Sequence, residues 1–212
     1  MSIFTCFGYG SLVNVRTLLP GTEVRSARVR GWRRAWRLSG DSTFGNRCTL
    51  TVVPDEGAAI LGVMVVQHAD HRAALSAREV HYVPTPLSAD SVEWLDPPGV
   101  GWPDAFIHVG RPEYVRAGGP GHPVMMSYLD VVIAGFRGRF GDEGAEHFVD
   151  TTLDWHVPVL NDRASPRYPR WVPVEAADRA FVDALVRRMP LTVIDSGAAA
   201  PPHTPSVVSV TR

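Results

Sequence analysis

The chain has no lysine: every one of its 21 basic residues is an arginine. That absence excludes a Schiff-base amine, a lysine general base and the lysine of a Walker-type phosphate loop. Cysteine is almost missing too. Cys6 and Cys48 are too few for a disulfide framework, and a reducing, cytoplasmic setting is expected. No apolar run reaches the ~18–20 residues of a membrane-spanning helix. The opening residues have neither the basic nor the apolar segment of a secretory signal, so no export and no membrane association are expected. A formal net charge of −1 offers no overall attraction to nucleic acid.

What is present is an ordinary globular composition, 45% hydrophobic over 212 residues, which fits one domain. That domain is expected to span 1–196. The stretch 197–212 is rich in Ala, Pro, Ser and Val without a period and reads as a flexible tail. The first half predicts short strands at Glu23 to Arg30, Ala35 to Leu38, Thr49 to Val53 and a buried one at Ile60 to Val66. Asp70 is placed to cap a short helix from His71 to about Ala77. Val80 to Val83 looks extended, with Pro84 and Pro86 expected to stop pairing. The second half is more helical. Ser127 and Asp130 resemble a capping box ahead of the face Leu129, Val132, Ile133, Phe136 and Phe140. Phe181, Val182, Leu185, Val186 and Met189 form a second such face. The whole predicts an α+β fold with a mixed, barrel-like sheet and flanking helices.

The most distinctive segment is Phe7-Gly8-Tyr9-Gly10-Ser11-Leu12, directly after the apolar run Ile3 to Phe7. Glycines let a backbone adopt positive φ and approach a ligand closely, and such a loop can turn several N–H groups toward one oxygen. It reads either as a cradle for a carboxylate or carbonyl oxygen or as a plain tight turn. It is not a dinucleotide loop, because Val13 stands where the third glycine would fall.

Glu79, between the predicted helix and strand, is either a carboxylate held out of bulk solvent, suited to passing a proton both ways, or a surface residue paired with Arg78. His68, Asp70, His71 and His81 lie close in sequence but lack the second ligand pair of a zinc site. Ser11 lacks the G-x-S-x-G setting of a nucleophile elbow, and Cys6 reads as core. Arg163, Arg167 and Arg170 could grip a carboxylate or pin the loop 161–171; pinning is the default.

Together, Phe7–Leu12, the run Arg78-Glu79-Val80-His81-Tyr82, the helix start Ser127-Tyr128-Leu129-Asp130 and the pieces Asn161-Asp162-Arg163 and Tyr168-Pro169-Arg170 resemble the gamma-glutamylcyclotransferase family, including its ChaC-like members. The resemblance implies a mixed α/β fold with a small barrel-like sheet. It also implies a reaction in which a γ-glutamyl amide becomes 5-oxoproline and a free amine. By the same resemblance Glu79 is the catalytic acid and base. Gly8, Tyr9, Gly10, Ser11 and Leu12 hold substrate oxygens, and Tyr82, with Tyr114 and Tyr128, is a candidate pocket hydroxyl. No cofactor, no metal and no enzyme nucleophile are implied, and the partner is a small γ-glutamyl compound. ChaC-like members often have glycines just after the glutamate. Val80 and His81 occupy that stretch here, which leaves glutathione, a γ-glutamyl amino acid or another γ-glutamyl amine open as substrate. A member that binds a small carboxylate without turnover, and one that trims a γ-glutamyl protecting group from an intermediate, are the competing expectations.

Overall fold

A computed structural model describes residues 3–39, 45–97 and 105–195. The expected tail, 197–212, lies outside the described residues. The sheet is built around two long strands, β2 (Glu23–Leu38) and β3 (Thr49–His68), paired antiparallel along most of their length. β1 (Ile3–Gly8) lies against β3 antiparallel and against β6 (Ala105–Gly110) parallel. β4 (Tyr82–Pro86) and β5 (Val92–Trp94) form the two edges, giving the order β4-β6-β1-β3-β2-β5, with the short β8 (Thr152–Leu153) also on β2. A second, parallel sheet joins β7 (Val124–Met125), β9 (Val159–Asn161) and β10 (Val193–Asp195). The helices are α1 (Arg72–Arg78), α2 (Met126–Asp150), which is broken at Gly141 by a positive φ of 71°, and α3 (Ala176–Arg188).

The sheet is mixed, as expected, but its edges β4 and β5 do not pair, so it is open rather than a closed barrel. The short strands expected at 23–30 and 35–38 are one strand with a bulge at Gly31, and those at 49–53 and 60–66 are likewise one. The turn residues between them are tolerated because Pro54 sits beyond the reach of β1, where β3 is paired on one side only. Pro84 and Pro86 do not stop pairing. Both stand opposite β6 on an edge strand, where a missing N–H facing outward costs no ladder bond.

The capping expectation at Ser127 and Asp130 fails because those side chains have tertiary partners. Met125, not Ser127, precedes α2. Ser127 Oγ donates to Asp162 Oδ2 at 2.6 Å, and Asp130 binds Arg163 at 2.6 and 2.8 Å. Asp70 lies inside a short turn, and His71 precedes α1. Leu129, Val132, Ile133 and Phe136 are buried under α2 as its period predicted, whereas Phe140 is half-buried. On α3, Val182 and Leu185 are the buried pair. An aromatic cluster of Trp36, Tyr128, Phe148 and Trp155, edge to face at 5.4–6.3 Å from Trp36, fills the space between sheet and helix α2.

Candidate active site

β1 ends in the loop 9–12, and the chain there turns back against α2. Val13 and Asn14 N–H close the turn onto the Gly10 and Ser11 carbonyls, leaving the earlier amides without a partner inside the turn. Neither loop glycine supplies positive φ; Gly10 sits at −134°. Gly8 instead permits close packing, since a Cβ there would lie 2.5 Å from the Leu12 Cβ. It seats the loop and does not line the cleft.

Several elements fix that loop. The Tyr9 hydroxyl donates to the His108 carbonyl at 2.6 Å, and Asn14 Nδ2 donates to the Val131 carbonyl of α2 at 2.9 Å. α2 can come this close because residue 135 is glycine: a Cβ would sit 2.6 Å from the Asn14 amide nitrogen. Beneath the loop lies Arg34, fully buried. Its Nε donates to the Tyr9 carbonyl at 2.7 Å, Nη1 to Thr151 Oγ1 at 2.7 Å, and Nη2 to the Leu61 carbonyl. The rings of Phe136 and Phe148 lie 4.9 and 5.1 Å from its guanidinium carbon. Burial, opposed by the tyrosine hydroxyls of residues 9 and 128, pulls Arg34 down to about 9.

Across a cleft of about 230 Å³ stands Glu79. It follows α1, four residues after the buried Leu75, so the same face that anchors the helix turns Glu79 inward. Its side chain is 11% exposed, and Arg78 Nε donates to Oε1 at 2.9 Å. The same guanidinium donates from Nη2 to Ser11 Oγ and from Nη1 to the Thr17 carbonyl, both at 3.3 Å. One cation therefore ties the glutamate wall to the loop wall.

Tyr9, Gly10, Ser11, Leu12, Glu79 and Tyr82 all line this cleft, as does Tyr128. Tyr114 does not; it packs on the His81 ring at 4.7 Å. The Tyr82 hydroxyl donates to the Leu50 carbonyl at 2.7 Å. Burial, then the Glu79 charge, pushes the Tyr82 hydroxyl up. Burial first, then Tyr82 and Glu79, pushes Tyr9 up as well. Cys6, fully buried behind the cleft, is pushed up to about 12 by burial and by Glu79, and stays a thiol.

Two cleft residues, Tyr168 and His108, have no assigned role in the sequence reading, and a third, Arg170, reads there as gripping a carboxylate or pinning its loop. The Tyr168 hydroxyl donates to Ser11 Oγ at 2.7 Å. Arg170 lies 5.5 Å from the Tyr168 ring centre and lines the cleft, while its loop neighbour Arg163 is spent on Asp130 and Asp183. His108, buried on β6, lines it too, and burial lowers its pKa. A histidine inside the apolar run Ala105–Gly110 is the one signal that would have flagged it. Among the described residues no group of three His, Cys, Asp or Glu side chains could hold a metal ion, and no helix is long and apolar enough to cross a membrane.

An open mixed sheet thus carries α2 behind a Gly-Tyr-Gly-Ser loop, with Glu79 facing that loop across the cleft. No family model matches the chain, and no curated protein matches it. Solved structures do match. A gamma-glutamyl cyclotransferase aligns with a TM-score of 0.55 at 14% identity, covering 86% of this chain and 99% of its own. An uncharacterized protein from Homo sapiens aligns at 0.53 and 13%, with coverage of 86% and 99%. YkqA from Bacillus subtilis aligns at 0.53 and 15%, covering 71% of this chain and 54% of YkqA. The chain has the gamma-glutamyl cyclotransferase fold.

Proposed function

We propose that this protein converts a γ-glutamyl amide into 5-oxoproline and a free amine. The observation that supports it best is Glu79, a nearly enclosed carboxylate facing the 9–12 loop across one small cleft. The substrate's own α-amino nitrogen attacks its δ-carbonyl, so a C–N bond forms within one molecule while the amide C–N bond breaks. Holding the folded conformer supplies much of the rate, since effective molarities of ~10⁵–10⁸ M are reached in well-oriented intramolecular reactions. Glu79 takes the proton from the attacking amine and returns it to the leaving nitrogen, so no net proton is gained or lost. Arg78 engages Oε1, which leaves Oε2 for the substrate.

The loop is the oxygen-holding side. Ser11 Oγ accepts from Tyr168 and from Arg78, so its own O–H is the donor that remains for a ligand. The Gly10, Ser11 and Leu12 amides lie beside it and stabilise negative charge as it develops on the δ-oxygen. The solved cyclotransferase of the same fold supports this chemistry by likeness.

The test is incubation with a panel of γ-glutamyl amides and detection of 5-oxoproline. Release by the natural protein, abolished in Glu79→Gln with unchanged thermal stability, is the expected result. Ligand-induced stabilisation without turnover of any member would make the protein a carboxylate-binding module instead.

A further inference from the structure

We propose that the leaving amine is apolar and is held in a second cleft that opens on the other side of Glu79. This rests on the γ-glutamyl reading above and extends it to the half of the substrate that the loop does not touch. The second cleft, about 380 Å³, is walled by Phe4, Leu75, Pro84, Pro86 and Phe106. It meets the first at Glu79, Val80, Tyr82 and His108, which line both.

The two clefts differ in what they offer. The first presents hydroxyls, guanidinium groups and loop amides, partners for the carboxylate, amine and carbonyl of a γ-glutamyl head. The second presents hydrocarbon and ring faces: Phe4 stacks on Phe106 at 6.2 Å, and Phe106 meets the His108 ring edge to face at 5.2 Å. Arg111, a charged side chain on this wall, turns its Nε to the Val80 carbonyl at 2.9 Å. A polar leaving group gains nothing from such walls, whereas an alkyl or aryl amine removes apolar surface from water on entering.

The chemistry fixes the direction. One carboxylate must reach both the attacking and the leaving nitrogen, so the leaving group starts at Glu79 and extends away from the loop. The second cleft begins at that point. His108 marks the seam: its ring is buried between Phe106 and Tyr82, and Nδ1 is enclosed without a hydrogen-bond partner. Val80, 54% exposed, provides an apolar rim to both clefts.

Two measurements on the full chain test this. Binding of γ-glutamyl benzylamide, γ-glutamyl methylamide and γ-glutamylglycine to the Glu79→Gln protein is followed by calorimetry, and 5-oxoproline release from the same three is followed with the natural protein. Benzylamide is expected to bind, and to be turned over, at least about tenfold better than methylamide, with glycine no better than methylamide. Phe106→Ala, which removes a wall, and Ser76→Trp, which fills the cleft from an exposed position on α1, should each bring the benzyl-to-methyl ratio toward one. Equal affinities, or a preference for glycine, overturn the apolar cleft. Release from methylamide without benzyl preference overturns it and leaves the γ-glutamyl reading intact. Benzyl preference in binding without any 5-oxoproline does the reverse, and no binding of any amide overturns both.

Discussion

The two walls of the cleft are built in different ways. The loop wall is fixed from below by Arg34, from behind by Asn14 and α2, from one side by Tyr9 on β6 and from the other by Tyr168. The glutamate wall hangs on a seven-residue helix anchored by the buried Leu75. Its side chain is joined to the opposite wall through a single guanidinium, that of Arg78. The oxygen-holding side therefore shares its stability with the core, while the proton-carrying side is held locally. Damage to the first should cost stability and activity together, and damage to the second activity alone.

Arg34 tests the first half of that contrast most severely. Arg34→Met leaves the Tyr9 and Leu61 carbonyls without their donor inside the core. The expected loss is about 3–5 kcal/mol in denaturant unfolding, accompanied by loss of 5-oxoproline release. A variant of natural stability would mean that the loop is not rooted in the core. A milder break comes from the other side: Gly135→Ala pushes a methyl group onto the Asn14 backbone. It should lower stability by about 1–3 kcal/mol and raise KM as the loop shifts. Tyr168→Phe sharpens the comparison, since it removes only the hydroxyl, which donates to Ser11 Oγ and meets the Arg170 guanidinium. The melting temperature should fall by a few degrees and kcat/KM by about tenfold, both losses together as for the rest of the loop wall.

A further effect concerns pH. His147 on α2 accepts from the Leu61 N–H through Nε2 at 3.2 Å. Burial first, then the charges of Arg34 and Arg28, lowers it from 6.5 to about 4. The unfolded chain thus binds a proton between those values that the folded chain refuses. The contribution is fully present above about 6.5 and is lost as pH falls toward about 4. A melting-temperature profile should fall across that window, and His147→Gln should flatten it.

The sequence disclosed the parts of this site that are local in the chain. Tyr9 through Leu12 and Glu79 sit in short, recognisable runs, and the period of 129–136 marks the buried face of α2. What it concealed depends on contacts between distant residues. Arg34 is one of a cluster of arginines in β2, and no spacing distinguishes the one whose guanidinium reaches the Tyr9 carbonyl. Ser127 and Asp130 imitate a capping box because their true partners, Asp162 and Arg163, lie more than thirty residues on. Pro84 and Pro86 look like strand breakers until β4 is known to be an edge. Gly8 resembles a ligand-facing glycine and proves to be a packing one.

The central claim is that Glu79 carries the proton for ring closure. Single-turnover release of 5-oxoproline from a γ-glutamyl amide, compared between the natural protein and Glu79→Gln, tests it most directly. The account predicts a fall of roughly 10²–10⁴-fold with the melting temperature nearly unchanged. Release at the natural rate from the Glu79→Gln protein would contradict it.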